Sequence, residues 1–145
     1  MNKYDSDGVF RHKTDIQIRF TDVDLLGHIN NNAYLNYYDL GKIKYFEEVY
    51  KREVDWAESE LIVANVNTDF LLPIYYRDKI FVQTRIERIG NKSLTLYQEI
   101  VDKNTNEVRS RCHTVMVAYD LKNKVSKPIP DDWRILIEAY QSKID

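Results

Sequence analysis

The stretch "RFTDVDLLGHINNNAYLNYYDLGKIKYF", residues 19–46, decides the fold, because its second half predicts a long helix with one apolar face. From Tyr34 onward the larger apolar residues recur at positions 34, 37, 38, 45 and 49, and this three-and-four spacing builds one side of a helix. Gly41 falls in the same series, although glycine destabilises helices. Its place on the apolar face predicts that the helix passes close to a sheet there.

Patterns typical of strands lie on both sides of this helix. Before it, "TDIQIRF" at 14–20 alternates apolar Ile16, Ile18 and Phe20 with polar residues, as in a half-buried strand. After it come a polar segment at 53–60 and four predicted strands joined by short turns, at 61–72, 79–89, 93–102 and 108–120. A short C-terminal helix is predicted next, with Asp131 or Asp132 as its N-cap.

This order of elements predicts an α+β fold in a single domain that spans residues 1–145. Successive strands with tight turns form a mainly antiparallel sheet, and the long helix must bury its apolar face against that sheet. Such a sheet leaves an edge strand open and one face incompletely covered, which favours pairing with a second copy of the chain. We therefore expect at least a homodimer.

The composition narrows the class of protein. Charged residues make up 30% and hydrophobic residues 43%, with a formal net charge of -2, so there is no basic surplus for nucleic acid. No apolar run has the length of a signal-peptide core or of the roughly 20 residues that span a bilayer. The single cysteine, Cys112, suits a reducing compartment. These features predict a cytoplasmic protein that binds neither nucleic acid nor membranes.

The polar half of the opening stretch is the candidate site. Asp22 and Asp24 lie two residues apart, Gly27 permits a tight turn, and "HINNN" at 28–32 leads into the helix. The first N–H groups of a helix are unpaired and carry partial positive charge, so they can hold a developing oxyanion. A carboxylate followed by such donors is the minimum arrangement for acyl transfer, in which the acid attacks the carbonyl carbon or deprotonates a water.

Each of these residues also has a structural explanation. Isolated pairs of aspartates are commonly solvated loop acids, and Asn30 or Asn31 can simply cap the helix. His28 is either an acid, base or hydrogen-bond donor, or a polar turn residue. No further residue stands at metal-ligand spacing from Asp22, Asp24 and His28, so we predict no metal site.

The run Asp-x-Asp-x-x-Gly-His-φ-Asn-Asn, followed by a tyrosine on the helix, resembles the signature of the hotdog-fold acyl-CoA thioesterases of the 4-hydroxybenzoyl-CoA thioesterase type. The stretch "TDFLLPIYYRDKIFVQTRIERIGNKSLTLYQEIVD", residues 68–102, also looks like the second half of that family. The resemblance implies a hotdog fold, in which an antiparallel sheet wraps a long central helix. It also implies sites at a dimer interface and often a homotetramer.

The same resemblance implies hydrolysis of an acyl-CoA, or an acyl-ACP, to a free acid and a thiol. Neither a metal nor a redox cofactor is expected, since coenzyme A is part of the substrate. Asp24 would be the catalytic carboxylate, the Asn31 N–H the oxyanion donor, and His28 a further catalytic group that forms a His-φ-Asn element with Asn30. The expected substrate-binding residues are those placed to meet the thioester, the pantetheine arm or the phosphates: Asn30, Tyr34, Lys92 and Ser93.

Several alternatives stay open at this point. The scaffold also suits a non-catalytic domain that binds or senses acyl-CoA, and a solvated turn explains Lys92 as well as a phosphate contact does. The sequence leaves four alternatives open: which acyl group is used, whether the carrier is CoA or ACP, whether the protein is a dimer or a tetramer, and whether Asp24 is a nucleophile or a general base. Asp22 is expected to be a supporting or solvated acid. Asp24 alone is left without a structural role.

Overall fold

The computed structural model of the protein describes residues 4–5, 8–53 and 60–142, the first pair through its backbone alone. Strands β1 (Tyr4–Asp5) and β2 (His12–Ile16) precede one turn of 3-10 helix at Phe20–Asp22 and helix α1 (Asn31–Tyr50). Four long strands follow: β3 (Leu61–Phe70), β4 (Ile80–Ile89), β5 (Ser93–Asp102) and β6 (Val108–Asp120). The described chain ends with the short strand β7 (Val125–Ser126) and helix α2 (Asp131–Gln141).

The strands form one sheet in which every pairing is antiparallel. Its long strands lie in the order β4, β5, β6, β3, while β1 and β2 pair with β4 and β7 pairs with β6. Helix α1 packs across β2 and β4, so the sheet curls around it. The predicted α+β hotdog fold, a long helix wrapped by an antiparallel sheet, is confirmed. Neither helix in the described ranges combines the length and apolar character needed to cross a membrane.

The apolar face of α1 is buried as predicted, and Gly41 marks its closest approach to the sheet. Side chains of β4 that point at the helix are almost fully buried, including Val82 and Ile86. A Cβ atom added at Gly41 would lie 2.7 Å from Cγ1 of Val82 and 3.1 Å from Nε2 of Gln98. Only a residue without a side chain fits there, which explains why glycine is tolerated inside a long helix.

Two local predictions were wrong. The first strand ends at Ile16 and Phe20 is exposed, because the backbone N–H of Arg19 is bound by the carboxylate of Asp22 (2.9 Å) and the chain bends into the 3-10 turn. Helix α2 has Pro130 at its N-cap and no side-chain cap, so Asp131 belongs to the first helical turn. A carboxylate there still favours the helix, since it lies at the positive end of the dipole. Of the predicted polar segment, residues 54–59 lie outside the described residues.

Strand β3 is an open edge with apolar side chains. Among the described residues it pairs with β6 on one side only, and a bulge at residue 64 keeps Val63, Val66 and Phe70 on the face that carries helix α1. These three side chains are nonetheless exposed, because α1 packs mainly against β2 and β4 and meets β3 at its Phe70 end, where Tyr34 contacts Phe70. A ten-residue edge with unpaired backbone groups and exposed apolar side chains is a surface that proteins normally cover.

Replacing Gly41 by alanine should destabilise the protein, although alanine is the better helix former. The new methyl group would overlap Val82, and relieving such overpacking typically costs about 1–3 kcal/mol, which exceeds the helix-propensity gain of about 1 kcal/mol. Urea denaturation measures the change. Gly90→Ala is the control, because its added Cβ would meet no atom closer than 3.4 Å. Equal stability of Gly41→Ala and wild type would contradict the close approach.

Candidate active site

Residues 22–30 form a tight hairpin that ends at the N-terminus of α1. Val23 bridges Ile29, and the N–H of Asp24 donates to the carbonyl of His28 at 2.8 Å. Gly27 makes the turn with a φ of 80°, a left-handed conformation that side chains disfavour. The hairpin thereby places Asp24 opposite His28, two residues before the helix cap.

Asp22 is the buried anchor of this hairpin, with only 3% of its surface exposed. Its carboxylate accepts hydrogen bonds from the hydroxyl of Tyr37 (2.6 Å) and from the backbone and guanidinium of Arg19 (2.9 and 3.2 Å). Its carbonyl accepts from both the backbone N–H and the side-chain amide of Asn30. Asp22 is therefore the supporting acid rather than a solvated one.

The ionisation of Asp22 is fixed by these contacts. Burial opposes its charge, but the hydrogen bonds from Tyr37 and Arg19 outweigh burial and hold the pKa of Asp22 below its ordinary value. Burial and the neighbouring carboxylate raise the pKa of Tyr37, so its hydroxyl stays protonated and donates. Asp22 is thus a buried, charged group whose two carboxylate oxygens both accept hydrogen bonds.

Asp24 is exposed, and one of its two carboxylate oxygens holds the turn. Oδ1 accepts from the N–H of Leu26 (2.9 Å) and of His28 (3.2 Å). The expectation that Asp24 has no structural role was therefore wrong. Within the described residues the other oxygen, Oδ2, has no hydrogen-bond partner. The turn fixes the orientation of the carboxylate and leaves one oxygen to face solvent or substrate.

The N-terminus of α1 presents N–H groups at the end of the hairpin that carries Asp24. Asn30 is the N-cap, and its side-chain oxygen accepts from the N–H of Ala33 at 2.9 Å. Among the described residues, no acceptor lies within hydrogen-bonding distance of the N–H groups of Asn31 and Asn32, the first two residues of the helix. The dipole of a 20-residue helix adds partial positive charge at this end. The arrangement can hold an oxyanion.

A second segment, residues 71–78, holds the hairpin from outside; we call it the docking segment. The N–H of Ile29 donates to the carbonyl of Ile74 at 2.8 Å, and His28 bridges Tyr75. The rings of His28 and Tyr75 meet edge to face with centroids 5.0 Å apart. His28 is half-buried between the hairpin and this segment. Its ring is positioned by Tyr75 and its backbone by Asp24.

Tyr34 lies one turn into α1 and is almost fully buried, since only 3% of its surface is exposed. Its ring packs edge to face on Phe70 of the open strand β3, with centroids 4.9 Å apart. Burial raises the pKa of its hydroxyl. The structure brings Asp24, His28, Asn30, Asn31 and Tyr34 to one end of α1.

Lys92 and Ser93 lie at the opposite end of the sheet within the same chain. Lys92 lies in the turn between β4 and β5 and Ser93 begins β5, whereas the docking segment precedes the other end of β4, a strand of ten residues. Ten strand residues span roughly 33 Å. A single chain therefore does not bring Lys92 or Ser93 to Asp24.

The family of the chain follows from its sequence as well as from this geometry. Residues 18–137 match the thioesterase-like superfamily, and that range includes the hairpin, helix α1 and all the long strands. The chain belongs to this superfamily. The predicted resemblance to acyl-CoA thioesterases of the hotdog fold is confirmed, and so is the prediction of a thioesterase.

Individual relatives agree with this membership. A thioesterase from Thermus thermophilus, solved in complex with coenzyme A and zinc, is 29% identical and superposes with a TM-score of 0.81 over 93% of this chain and 98% of that one. The long-chain acyl-CoA thioesterase FadM of Escherichia coli K12 is 22% identical over 87% of this chain and 96% of its own length. The uncharacterised protein YsmA of Bacillus subtilis 168 is 24% identical over 57% of this chain, a match that spans 55% of YsmA.

Sequence reasoning missed two parts of the candidate site. Tyr37 was assigned to the apolar helix face, and nothing in its spacing indicates that its hydroxyl reaches Asp22 fifteen residues earlier. The docking segment was passed over as the end of a strand before Pro73, although its contacts with His28 and Ile29 determine where the hairpin lies. Both are long-range contacts, which local patterns do not encode.

Replacing Tyr37 by phenylalanine should destabilise the protein at neutral pH. The change removes a donor to a buried carboxylate, a loss of about 1–3 kcal/mol in the free energy of unfolding. Tyr76→Phe is the control, because Tyr76 is exposed and its hydroxyl has no hydrogen bond among the described residues. Chemical denaturation at neutral pH compares the two variants. Similar losses in both would contradict a specific role for the Tyr37 hydroxyl.

The contribution of Asp22 should depend on pH. Its pKa is lower in the folded than in the unfolded protein, so the folded state binds fewer protons, and its contribution is complete above the unfolded pKa of about 3.9. We expect the free energy of unfolding to fall as the pH drops below about 4, and to fall less steeply in Tyr37→Phe, which loses one cause of the lowered pKa. Denaturation curves recorded between about pH 2 and about pH 7 measure both slopes.

Proposed function

We propose that the protein hydrolyses an acyl-CoA thioester, or the corresponding acyl-ACP, to a free acid and a thiol. Thioester hydrolysis as such is supported by the family and by the acyl-CoA thioesterase named among its relatives. The observation that carries the residue assignment is one hairpin that holds the oriented carboxylate of Asp24, with one oxygen unengaged among the described residues, and leads into the unpaired N–H groups at the start of α1.

In this proposal the carbonyl oxygen of the thioester binds at the helix N-terminus. The N–H of Asn31 and the helix dipole hold the negative charge that develops there, which lowers the barrier because that charge is larger in the transition state than in the substrate. Asp24 faces the carbonyl carbon from the hairpin. The reaction needs neither a metal nor a redox cofactor, since the carboxylate and the backbone donors supply both functions.

This arrangement allows two reaction routes, each of which accounts for every bond and proton. As a general base, Asp24 takes a proton from water, the hydroxide adds to the carbonyl carbon, the C–S bond breaks, and the thiolate receives a proton. As a nucleophile, Asp24 forms an acyl anhydride with loss of the thiolate, and water then hydrolyses that anhydride. Under single-turnover conditions in H₂¹⁸O, only the nucleophilic route can place label in the carboxylate of Asp24.

The apolar surroundings of Asp24 support an acyl substrate. Leu25 and Leu26 form the exposed tip of the hairpin, and Phe20 and Tyr76 meet edge to face beside it with centroids 6.4 Å apart. Exposed apolar groups around a carboxylate suit a ligand that is apolar next to its reacting carbon. We assign Asn30 and Tyr34 to the walls of this site, with His28 as a hydrogen-bonding group beside the thioester.

We further propose that the active unit is at least a homodimer formed through β3. Antiparallel pairing of two β3 strands would satisfy their open edges and cover Val63, Val66 and Phe70. The two ends of β3 lie near different features. At one end, Leu61 is opposite Ala118, whose N–H donates to the carbonyl of Lys92 (2.9 Å). At the other end, Phe70 contacts Tyr34 at the candidate site.

Such pairing would place the Leu61 end of one strand beside the Phe70 end of the other. The turn that holds the partner subunit's Lys92 and the partner subunit's Ser93 would then approach Asp24. This reunites the predicted phosphate or pantetheine contacts with the candidate site, which one chain leaves at opposite ends of the sheet. Pairing of two such dimers into a tetramer is compatible with this arrangement.

Asp24→Asn should lose most thioesterase activity while keeping its fold and its affinity for acyl-CoA. An amide cannot act as base or form the anhydride, and we expect a fall in kcat of at least about 100-fold. The assay is thiol release from a panel of acyl-CoAs of graded length and aromaticity. Asp15→Asn, an exposed acid that pairs with Lys103, is the control. A variant with wild-type turnover would refute the role of Asp24, and saturable binding without thiol release by the wild type would indicate a binding domain.

Val66→Lys should weaken the dimer. A charge on the covered face of β3 would be desolvated without a partner, so the mass measured by light scattering should shift toward one chain, and activity should fall with it. Val125→Lys is the matched control, because Val125 is similarly exposed but lies on β7, away from the open edge. A Val66→Lys protein of unchanged mass would argue against pairing through β3.

A further inference from the structure

Arg109, near the start of β6, binds three separate parts of the chain through its side chain. One terminal nitrogen donates to the carbonyl of Pro73 (2.6 Å) and to Asp78 (3.3 Å), and the other donates to Asp102 (2.7 Å) and Glu107 (3.4 Å). The side chain is only 11% exposed. Hydrogen bonds between charged groups at such low exposure are among the strongest in a protein, and both ends of the guanidinium are used.

These partners order the turns on either side of Arg109. Oδ1 of Asp102 accepts the N–H groups of Asn104 and Thr105, and Oδ2 of Asp78 accepts the N–H of Tyr75 at 2.9 Å. The backbone carbonyl of Arg109 also accepts the N–H groups of the first two residues of the docking segment, at 3.0 Å each. Arg109 therefore fixes the docking segment at its start, at Pro73 and at Asp78.

The docking segment in turn holds the hairpin that carries Asp24. Ile74 and Tyr75 lie between the points at which Arg109 fixes the segment. The carbonyl of Ile74 accepts a hydrogen bond from the N–H of Ile29, and Tyr75 forms a β-bridge with His28. His28 supplies the carbonyl that binds the Asp24 N–H and one of the two N–H groups that orient the Asp24 carboxylate. An unbroken chain of short contacts thus leads from the guanidinium to the candidate catalytic carboxylate.

We propose that Arg109 is a positioning residue for the thioesterase reaction, which acts through the docking segment to hold His28 and Asp24 in line with the helix N-terminus. The inference rests on the proposed function. The hydrogen bonds of the Arg109 side chain go to Pro73, Asp78, Asp102 and Glu107 and not to Asp24 or His28, so its effect should fall on the chemical step rather than on binding. A displacement of about 1 Å at a reacting group is sufficient for roughly a 100-fold loss of rate.

Lysine should not replace arginine at this position. The guanidinium reaches Pro73 and Asp78 with one nitrogen and Asp102 with the other, a fork that a single ammonium on a flexible stem cannot reproduce. Arg109→Lys keeps the positive charge and most of the side-chain volume. It therefore tests whether the forked shape of the guanidinium is needed, or only a positive charge near Asp78, Asp102 and Glu107. Asp78→Ala breaks the same linkage from the docking segment and serves if the first variant folds poorly.

The control is Arg111→Gln, two residues further along β6. Arg111 makes a half-exposed ion pair with Asp69 (2.9 Å), which should matter little for activity. The three variants and wild type are compared by thiol release at saturating and limiting acyl-CoA, by thermal unfolding, and by amide hydrogen exchange. Each assay is run well below the midpoint of unfolding and at one oligomeric state, checked by light scattering.

We expect Arg109→Lys and Asp78→Ala to lower kcat by about 10- to 100-fold, with KM changed by less than about threefold. The amides of Asp24 and Ile29 should exchange at least about tenfold faster, while those of Leu94 and Leu96, at the end of β5 away from Asp102, stay as in wild type. Arg111→Gln should match wild type in every assay. A purely structural role would instead lower stability and speed exchange throughout the sheet without reducing the kcat of the folded enzyme.

Several results would overturn the inference. It fails if Arg109→Lys and Asp78→Ala fold and keep wild-type kcat, or if the exchange of Asp24 and Ile29 is unchanged. It also fails if activity falls only in proportion to the folded fraction. Failure of the proposed function would differ, because wild type would then release no thiol or Asp24→Asn would remain active whatever the behaviour of Arg109.

Discussion

The buried carboxylate of Asp22 holds the hairpin and helix α1 in one fixed relation, and the geometry of the site depends on that relation. Its side chain binds Tyr37 inside α1, while its carbonyl binds the helix cap, Asn30. A charged group at this depth is costly unless it is fully hydrogen-bonded, so the native arrangement is the one in which every donor is present. Asp24 can therefore be accessible to solvent and still have a fixed orientation, because the backbone of the hairpin around it is held in place.

The edge of β3 leaves an apolar surface of the single chain uncovered. Apolar side chains on the helix-facing side of β3 remain exposed, and one of them, Phe70, contacts Tyr34 at the candidate site. In the proposed dimer, burial of this edge and completion of the site are therefore linked by position. Activity and assembly would then depend on the same surface, since both would use the end of β3 nearest to Asp24.

The sequence by itself determined the elements and the site motif. Period-two patterns located the long strands, the three-and-four spacing located α1, Gly41 indicated the close approach, and the motif from Asp22 to Asn31 indicated the family. These features are local, so a short window of chain carries them. Phe20 was misplaced because a contact from Asp22 ended the strand early, and α2 began after Pro130 without the predicted side-chain cap.

Only the tertiary structure decided that Asp22 is the buried, hydrogen-bonded acid and which contacts hold Asp24 in place. Asp22 and Asp24 look equivalent in sequence, but one is surrounded by Tyr37 and Arg19 and the other points outward from a turn. Arg109 and the docking segment act on the hairpin from far along the chain, and the Lys92 turn is placed at the opposite end of the sheet. The physical reason is that burial and hydrogen bonding between distant residues depend on how the whole sheet folds around α1, which no local pattern specifies.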